Sequence, residues 1–315
     1  MEPTKPSRVH LPDASGIAEA ARVIASGGTV AVPTETVYGL AARADDDAAV
    51  AGIYRAKGRP DFNPLIVHVP DVTAAQHFAL FDDRAIALAD AFWPGALTMV
   101  LPRREGAALA AAVSAGLPTV ALRCPAHPVM QALLKTCGLP LAAPSANRSG
   151  GVSPTSAAHV ADSLGNRVDL ILDGGETERG IESTIVALRS DGTWAVLRPG
   201  PITEAEIAHV LGAESATPAS PKIEAPGQMT SHYAPGKPVR LDAQGAGEDE
   251  FLIGFGAVTG DVSLSSTGDL AEAAARLYAC LHLGAAAPHD RIAIAPIPHH
   301  GIGVAINDRL RRAAA

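Results

Sequence analysis

Cysteine is scarce in this chain. Only Cys124, Cys137 and Cys280 occur, an odd number without a CxxC pair, which excludes a disulfide framework and a cysteine-based zinc site and points to reduced thiols. Aromatic residues are also few, at 4%, against a hydrophobic content of 47%, so the core must be built from Ala, Val, Leu and Ile. Basic charge is short: 25 Lys and Arg stand against 33 Asp and Glu, for a net charge of −8. That balance excludes wrapping nucleic acid by bulk electrostatics, while leaving room for a local basic pocket. No uninterrupted apolar run approaches the roughly 18 residues of a membrane span, and Ala-rich stretches such as 107–115 are far shorter. The first residues, MEPTKPSRVHLPDASG, are polar and Pro-rich without the apolar centre of a secretory signal, so a cytoplasmic location is expected. Two chemical signatures are missing as well. There is no GxxxxGK[ST] phosphate loop and no GxSxG or Ser-His-Asp order that would suggest a covalent nucleophile.

What is present suits two α/β units, since 315 residues can hold two domains of roughly 100–200 residues each. Residues 16–27 place Ile17, Ala20, Ala21, Val23 and Ile24 on one helical face, and Gly27-Gly28 stops the helix before the apolar run 29–32. Further helices are expected near 47–55, 84–92, 128–135 and from Ser156. Strands are expected at 65–69, 97–101, 119–122, 141–143 and 170–172, in STIVAL and in WAVLRPG. Strands and helices alternate without a strict βαβ rhythm, which predicts a mixed sheet flanked by helices over 8–205. Residues 213–237 are rich in Ala, Ser, Pro and Gly, as a linker would be, so 206–237 is assigned as linker. FLIGFG, a helix near 269–283, RIAIAPI and a terminal helix then predict a small α/β unit over 238–315.

Three polar segments are candidates for chemistry. PTETVYGL, 33–40, follows a buried strand and carries two threonines, a carboxylate and a tyrosine; on its own it reads more readily as a helix N-cap than as a site. KGRP, 57–60, with Asn63 and His68 beyond it, pairs a mobile ammonium with a planar guanidinium, a combination matched to oxyanions but equally compatible with a solvated basic turn. PSANRSGGVSPT, 144–155, offers hydroxyls, an amide and two glycines that permit close backbone approach, although Ser/Gly/Pro turns are common.

Taken together these segments resemble the YrdC-like family of threonylcarbamoyl-AMP synthases, whose hallmark is a KxR element paired with a downstream SxN element. Here these are Lys57-Gly58-Arg59 and Ser145-Ala146-Asn147. PTETVYGL, WPGALTMVL, TVALRCP, APSANRSGGVSPT, IESTIV and LRPG occur in the family's order, and PGQMTSHYAPGKPV followed by a small α/β unit resembles its long, two-domain form. The resemblance implies a YrdC-like twisted mixed sheet plus a small Rossmann-like domain. It also implies synthesis of threonylcarbamoyl-AMP and pyrophosphate from threonine, bicarbonate and ATP, for a modified adenosine in tRNA. It places Thr36, His68, Arg123, Ala143 and Ser183 around threonine. Around ATP it places Lys57, Arg59, Asn63, Thr119, Ser145, Asn147, Ser153, Arg198 and, from a linker acting as lid over the active site, Tyr233. Lys57 and Arg59 would carry the catalytic charge stabilisation, and variants in them are expected to lose turnover with the fold intact.

Magnesium is expected with the triphosphate, held by phosphate oxygens and water rather than by a protein carboxylate cage. The acidic run 45–47 reads as a helix start, and His299-His300 as loop residues without a third ligand. The implied partners are the substrates, a downstream tRNA threonylcarbamoyl transferase and at most weak tRNA contact. Two other readings stay open: a carbamoyl-phosphate-using carbamoyltransferase, though its zinc-finger-like cysteine sets are missing, and a double-stranded RNA-binding module.

Overall fold

The computed structural model describes residues 8–60, 63–216, 224–227 and 232–315. Its strands are β1 (Arg8–His10), β2 (Val30–Pro33), β3 (Tyr38–Arg43), β4 (Ile66–His68), β5 (Leu97–Pro102), β6 (Thr119–Arg123), β7 (Leu141–Ala142), β8 (Leu170–Leu172), β9 (Thr184–Leu188) and β10 (Trp194–Arg198). These form one mixed sheet in the order β1-β8-β2-β3-β7-β4-β6-β5-β9-β10. The helices among them are α1 (Ala14–Ala25), α2 (Asp47–Lys57), α3 (Val72–Ala75), α4 (Asp83–Phe92), α5 (Ala111–Ser114), α6 (Pro128–Cys137), α7 (Ala157–Leu164) and α8 (Glu204–Leu211). A second, all-parallel sheet follows from β11 (Val239–Arg240), β12 (Glu250–Gly254), β13 (Val262–Ser263) and β14 (Arg291–Ile294), in the order β11-β14-β12-β13. It packs with α9 (Leu270–Ala286) and α10 (Gly303–Ala313). The mixed sheet with flanking helices and the smaller α/β unit are both as the sequence predicts.

Strand alternation sorts the core into two layers. Val30 and Val32 of β2 turn to the face covered by α1 and α6, where Ile17, Ile24, Met130 and Leu133 are buried. Ala31 turns to the opposite face, with Val50, Ile53, Leu88 and Val160 from α2, α4 and α7. Each fully buried aliphatic side chain contributes on the order of 2 kcal/mol by leaving water, so this aliphatic sandwich holds the sheet without needing many aromatics. The acidic run does start a helix: Asp46 caps α2, accepting from the amides of Ala48 and Ala49.

Two elements differ from expectation. PTETVYGL is not a helix cap but the turn of a hairpin, because Tyr38–Arg43 pairs antiparallel with Val30–Pro33. And part of the segment read as linker is the helix α8, started by a Thr203/Glu206 capping box. Residues 217–223 and 228–231 of that linker lie outside the described residues.

Candidate functional site

The site grows from strand register. β4 and β6 are parallel neighbours, and their final residues, His68 and Arg123, stand directly side by side. β7 runs antiparallel to β4 and delivers Ala143, whose amide is held by the Ile66 carbonyl. Ser183 precedes β9, its hydroxyl 2.8 Å from that of Thr98 on β5, and Arg198 ends β10. His68 and Arg123 thus stand at the carboxyl ends of a parallel pair, a usual place for a ligand crevice in α/β sheets, and Ala143, Ser183 and Arg198 come to it from the neighbouring strands.

The hairpin turn adds one hydroxyl rather than a cluster. Thr34 is spent holding the turn, its Oγ1 donating to the Val37 carbonyl at 2.7 Å. Tyr38 donates to the Gly175 carbonyl, and burial pushes its phenol up to about 12. Thr36 is the hydroxyl of this turn that reaches the cavity, with Val37 beside it. Glu35 turns back to Arg123, whose Nη2 donates to it at 2.6 Å, with both side chains buried. Burial alone would raise the Glu35 carboxyl, but the charge and hydrogen bond of Arg123 with the Ala126 amide outweigh it and hold it below the usual range. Arg123 also donates through Nε to the Gly95 carbonyl, so Nη1 is the edge of its fork left uncommitted among the described residues.

Lys57 and Arg59 part company at Gly58. That residue ends α2 at φ 61, a left-handed conformation glycine takes without strain, and the chain turns sharply there. Lys57, still helical, is buried and donates through Nζ to the carbonyls of Ser145 (2.6 Å) and Asn147 (2.5 Å). The KxR and SxN elements are therefore in direct contact, with the ammonium acting as a clamp beneath the loop. Burial, then the neighbouring charge of Arg59, drives the Lys57 ammonium well down from its ordinary value. Arg59 lines the cavity and donates through Nη2 to the Pro64 carbonyl at 3.1 Å; burial lowers it to about 10, so it stays cationic at neutral pH.

The resulting cavity is lined by all the residues expected around threonine, Thr36, His68, Arg123, Ala143 and Ser183, and by Arg59, Ser145, Arg198 and Tyr233 of those expected around ATP. Lys57, Asn63, Thr119, Asn147 and Ser153 do not line it. Asn147 donates its amide to the carbonyls of Arg148 and Gly151 and so shapes its own loop. Ser153 donates to Glu182 at 2.6 Å. Continuing the Ile66/Ala121 register two residues back sets Thr119 beside Pro64, next to Asn63 and the carbonyl that Arg59 holds. Glu182 and His232, which the sequence reading passed over, do line the cavity.

The segment between the two sheets contributes Pro226, Gly227, His232 and Tyr233 to the walls. Glu224 is tied to Arg189, and Ala225 packs with Ile66, Ala121 and Ile185. Gly227, at φ 87, must be glycine: a Cβ there would fall 2.8 Å from Arg198 Cδ. Tyr233, itself at φ 65, is buried against His232 and Tyr278. Three guanidiniums, those of Arg59, Arg123 and Arg198, thus face one enclosure whose histidines are neutral: burial lowers both His68 and His232 to about 3.

Acid should therefore weaken the protein in a definite order. Burial would raise the Glu182 carboxyl, but Arg309 and Arg198 overcome it and lower it to about 2. A carboxyl depressed in the folded state contributes stability above its unfolded value and loses it as pH falls from about 4.5 towards 2, here on the order of 3 kcal/mol. His68 and His232, held neutral, add a loss of the same sign below about pH 6.5. Urea midpoints measured from pH 7 to pH 3 should fall steadily, and more shallowly below pH 4.5 in Glu182→Gln. A flat wild-type profile would contradict this.

This architecture, a mixed α/β sheet with a cationic cavity that the segment between the two sheets helps to wall, is that of a YrdC-like enzyme. Residues 22–200 match the family described as Telomere recombination (Sua5, YciO and YrdC), and residues 202–315 match the C-terminal domain of threonylcarbamoyl-AMP synthase. The chain belongs to the threonylcarbamoyl-AMP synthase family. It is 40% identical to the threonylcarbamoyl-AMP synthase of Bacillus subtilis, over 95% of this chain and 92% of that one. It is 38% identical to that of Pyrococcus abyssi, over 94% and 93%. It superposes on the crystal structure of P. abyssi Sua5 complexed with L-threonine with a TM-score of 0.88 and 35% identity, covering 98% of this chain and 97% of that one.

Proposed function

We infer that the protein makes threonylcarbamoyl-AMP from L-threonine, bicarbonate or CO2, and ATP. The observation that carries the reading is the convergence of three guanidiniums and a ring of small hydroxyls on one enclosed cavity. Threonine fits the inner end. The free edge of Arg123 suits its carboxylate, and the hydroxyls of Thr36 and Ser183 suit its polar groups. His68 Nδ1, buried without a partner among the described residues, is an acceptor for an amino or hydroxyl proton. The triphosphate would lie along Arg59, Arg198 and the Ser145 loop, with Asn63 and Thr119 at the nucleoside end.

The threonine amine, after losing a proton, attacks the carbon of bicarbonate or CO2 to give a carbamate, releasing water in the first case. A carbamate oxygen then attacks the α-phosphorus of ATP, and pyrophosphate leaves. The protein's part is positioning and charge stabilisation, with no covalent intermediate required. Glu182 on the cavity wall and Glu35 behind Arg123 are both bound to arginines, so magnesium is proposed to arrive on the triphosphate oxygens. The segment carrying His232 and Tyr233 would keep water from the mixed anhydride. The product would pass to an enzyme that transfers the threonylcarbamoyl group to tRNA, in the cytoplasm. Among the described residues no helix is long and apolar enough to cross a membrane.

The test is pyrophosphate release with ATP, threonine, bicarbonate and magnesium. Release should require threonine, and carbamoyl phosphate should not replace bicarbonate. Equal activity with carbamoyl phosphate would favour a carbamoyltransferase, and tight, salt-sensitive RNA binding without turnover would favour an RNA-binding module.

A further inference from the structure

The C-terminal unit reaches the cavity wall through one carboxylate. Glu182 lines the cavity, yet both its oxygens are occupied from behind or beside it. Oε1 accepts from Ser153 at 2.6 Å, and Oε2 accepts from Tyr278 of α9 at 2.8 Å and from Arg309 Nε of α10 at 3.0 Å. Arg309 is wholly buried, 127 residues away in sequence, and lies 5.6 Å from the Tyr233 ring. Tyr233 in turn stacks at a tilt on Tyr278, ring centres 5.5 Å apart.

A carboxylate on the wall of a polyanion site is a liability, because it repels the phosphates and competes for their cations. Arg198, the cavity arginine whose charge reaches Glu182, is held in place by the Ser183 carbonyl and hydroxyl and the Pro226 carbonyl, and its charge is the one an unneutralised Glu182 would offset. Resting on the ATP-dependent reading above, we propose that Arg309, assisted by Tyr278, is a positioning residue for nucleotide binding: it neutralises Glu182 from the C-terminal unit, leaving Arg198 for the triphosphate. Docking of the second unit is thereby coupled to the competence of the first, and Tyr233, packed on the same two side chains, is seated by the same contact. The threonine end of the cavity, at Arg123 and His68, is held by Glu35 instead, and meets Arg198 through Ser183.

The experiment compares the full-length wild type with Arg309→Met, Glu182→Gln and the double variant, measuring KM for ATP and for threonine. Arg309→Met should raise KM for ATP at least tenfold with KM for threonine within about twofold. Adding Glu182→Gln should bring KM for ATP back to within about threefold of wild type. An unchanged KM for ATP, or equal changes for both substrates with no recovery in the double variant, overturns the proposal. If Arg309→Met does not fold, Arg309→Lys decides: KM for ATP within threefold of wild type supports charge neutralisation, and a tenfold rise overturns it. Calorimetric titration of ATP into the same proteins separates this from the functional reading. Wild type that binds ATP but releases no threonine-dependent pyrophosphate sinks the reading alone, whereas an unchanged Kd in Arg309→Met sinks the inference alone.

Discussion

Lys57→Ala is expected to lower turnover by roughly 10²-fold, because the clamp that positions the Ser145 loop at the cavity wall is lost, and to lower stability as well. The sequence alone suggests that the fold would survive intact. The structure changes that expectation, because the ammonium is buried and bonded to two backbone carbonyls of the SxN loop. Removing it strands both carbonyls, at a cost of about 1–3 kcal/mol each. Lys57→Met, which keeps the volume, should melt between wild type and Lys57→Ala while being no more active. Arg59→Ala makes the contrast. Its bonds go to the carbonyls of Asn63 and Pro64 at the cavity edge, so turnover should fall by a similar factor with only a few degrees lost in melting temperature. Normal turnover in Arg59→Ala would remove it from any role in binding the triphosphate.

The second large effect concerns Arg123 and Glu35. Arg123→Leu leaves a buried carboxylate unpaired, which typically costs about 3–5 kcal/mol, and should abolish the threonine dependence of pyrophosphate release. Replacing Glu35 by leucine at the same time removes the stranded charge, and the double variant should recover most of the lost stability. It should recover none of the activity, because the group proposed to hold the amino-acid carboxylate is still missing. Recovery of both together would mean that Arg123 is structural only, and calorimetric threonine binding alongside urea unfolding distinguishes these outcomes.

Much of this was legible in the sequence for local reasons. The helix of 16–27 has a clean apolar face, and β4 and β6 announce themselves as short β-branched runs that break at His68 and Arg123. The KxR and SxN segments stand out as polar punctuation between them. Tyr38–Arg43 did not, because a strand buried on both faces has no polar alternation, and Gly39 with Ala41-Ala42 looks like a turn or helix as readily as a strand. The helix α8 was hidden for the opposite reason: its capping box is plain in Thr203–Glu206, but the low-complexity composition after it invites a linker over the whole stretch. The direction taken by Lys57 depends on how the Ser145 loop closes over it. The partnership of Glu182 with Arg309 joins two units through tertiary packing alone, and no local pattern encodes it.

The pairing of His68 with Arg123 has one more implication. Successive strand residues point to opposite faces, so a one-residue deletion ahead of Arg123 in β6 would set Cys124 where the guanidinium now stands and turn Arg123 to the other side. Length changes in the exposed turn at 190–192 leave that alignment alone. Tolerance to insertions across this chain should therefore follow the ladder of backbone bonds between strands, and not distance along the sequence from the residues that meet the ligands.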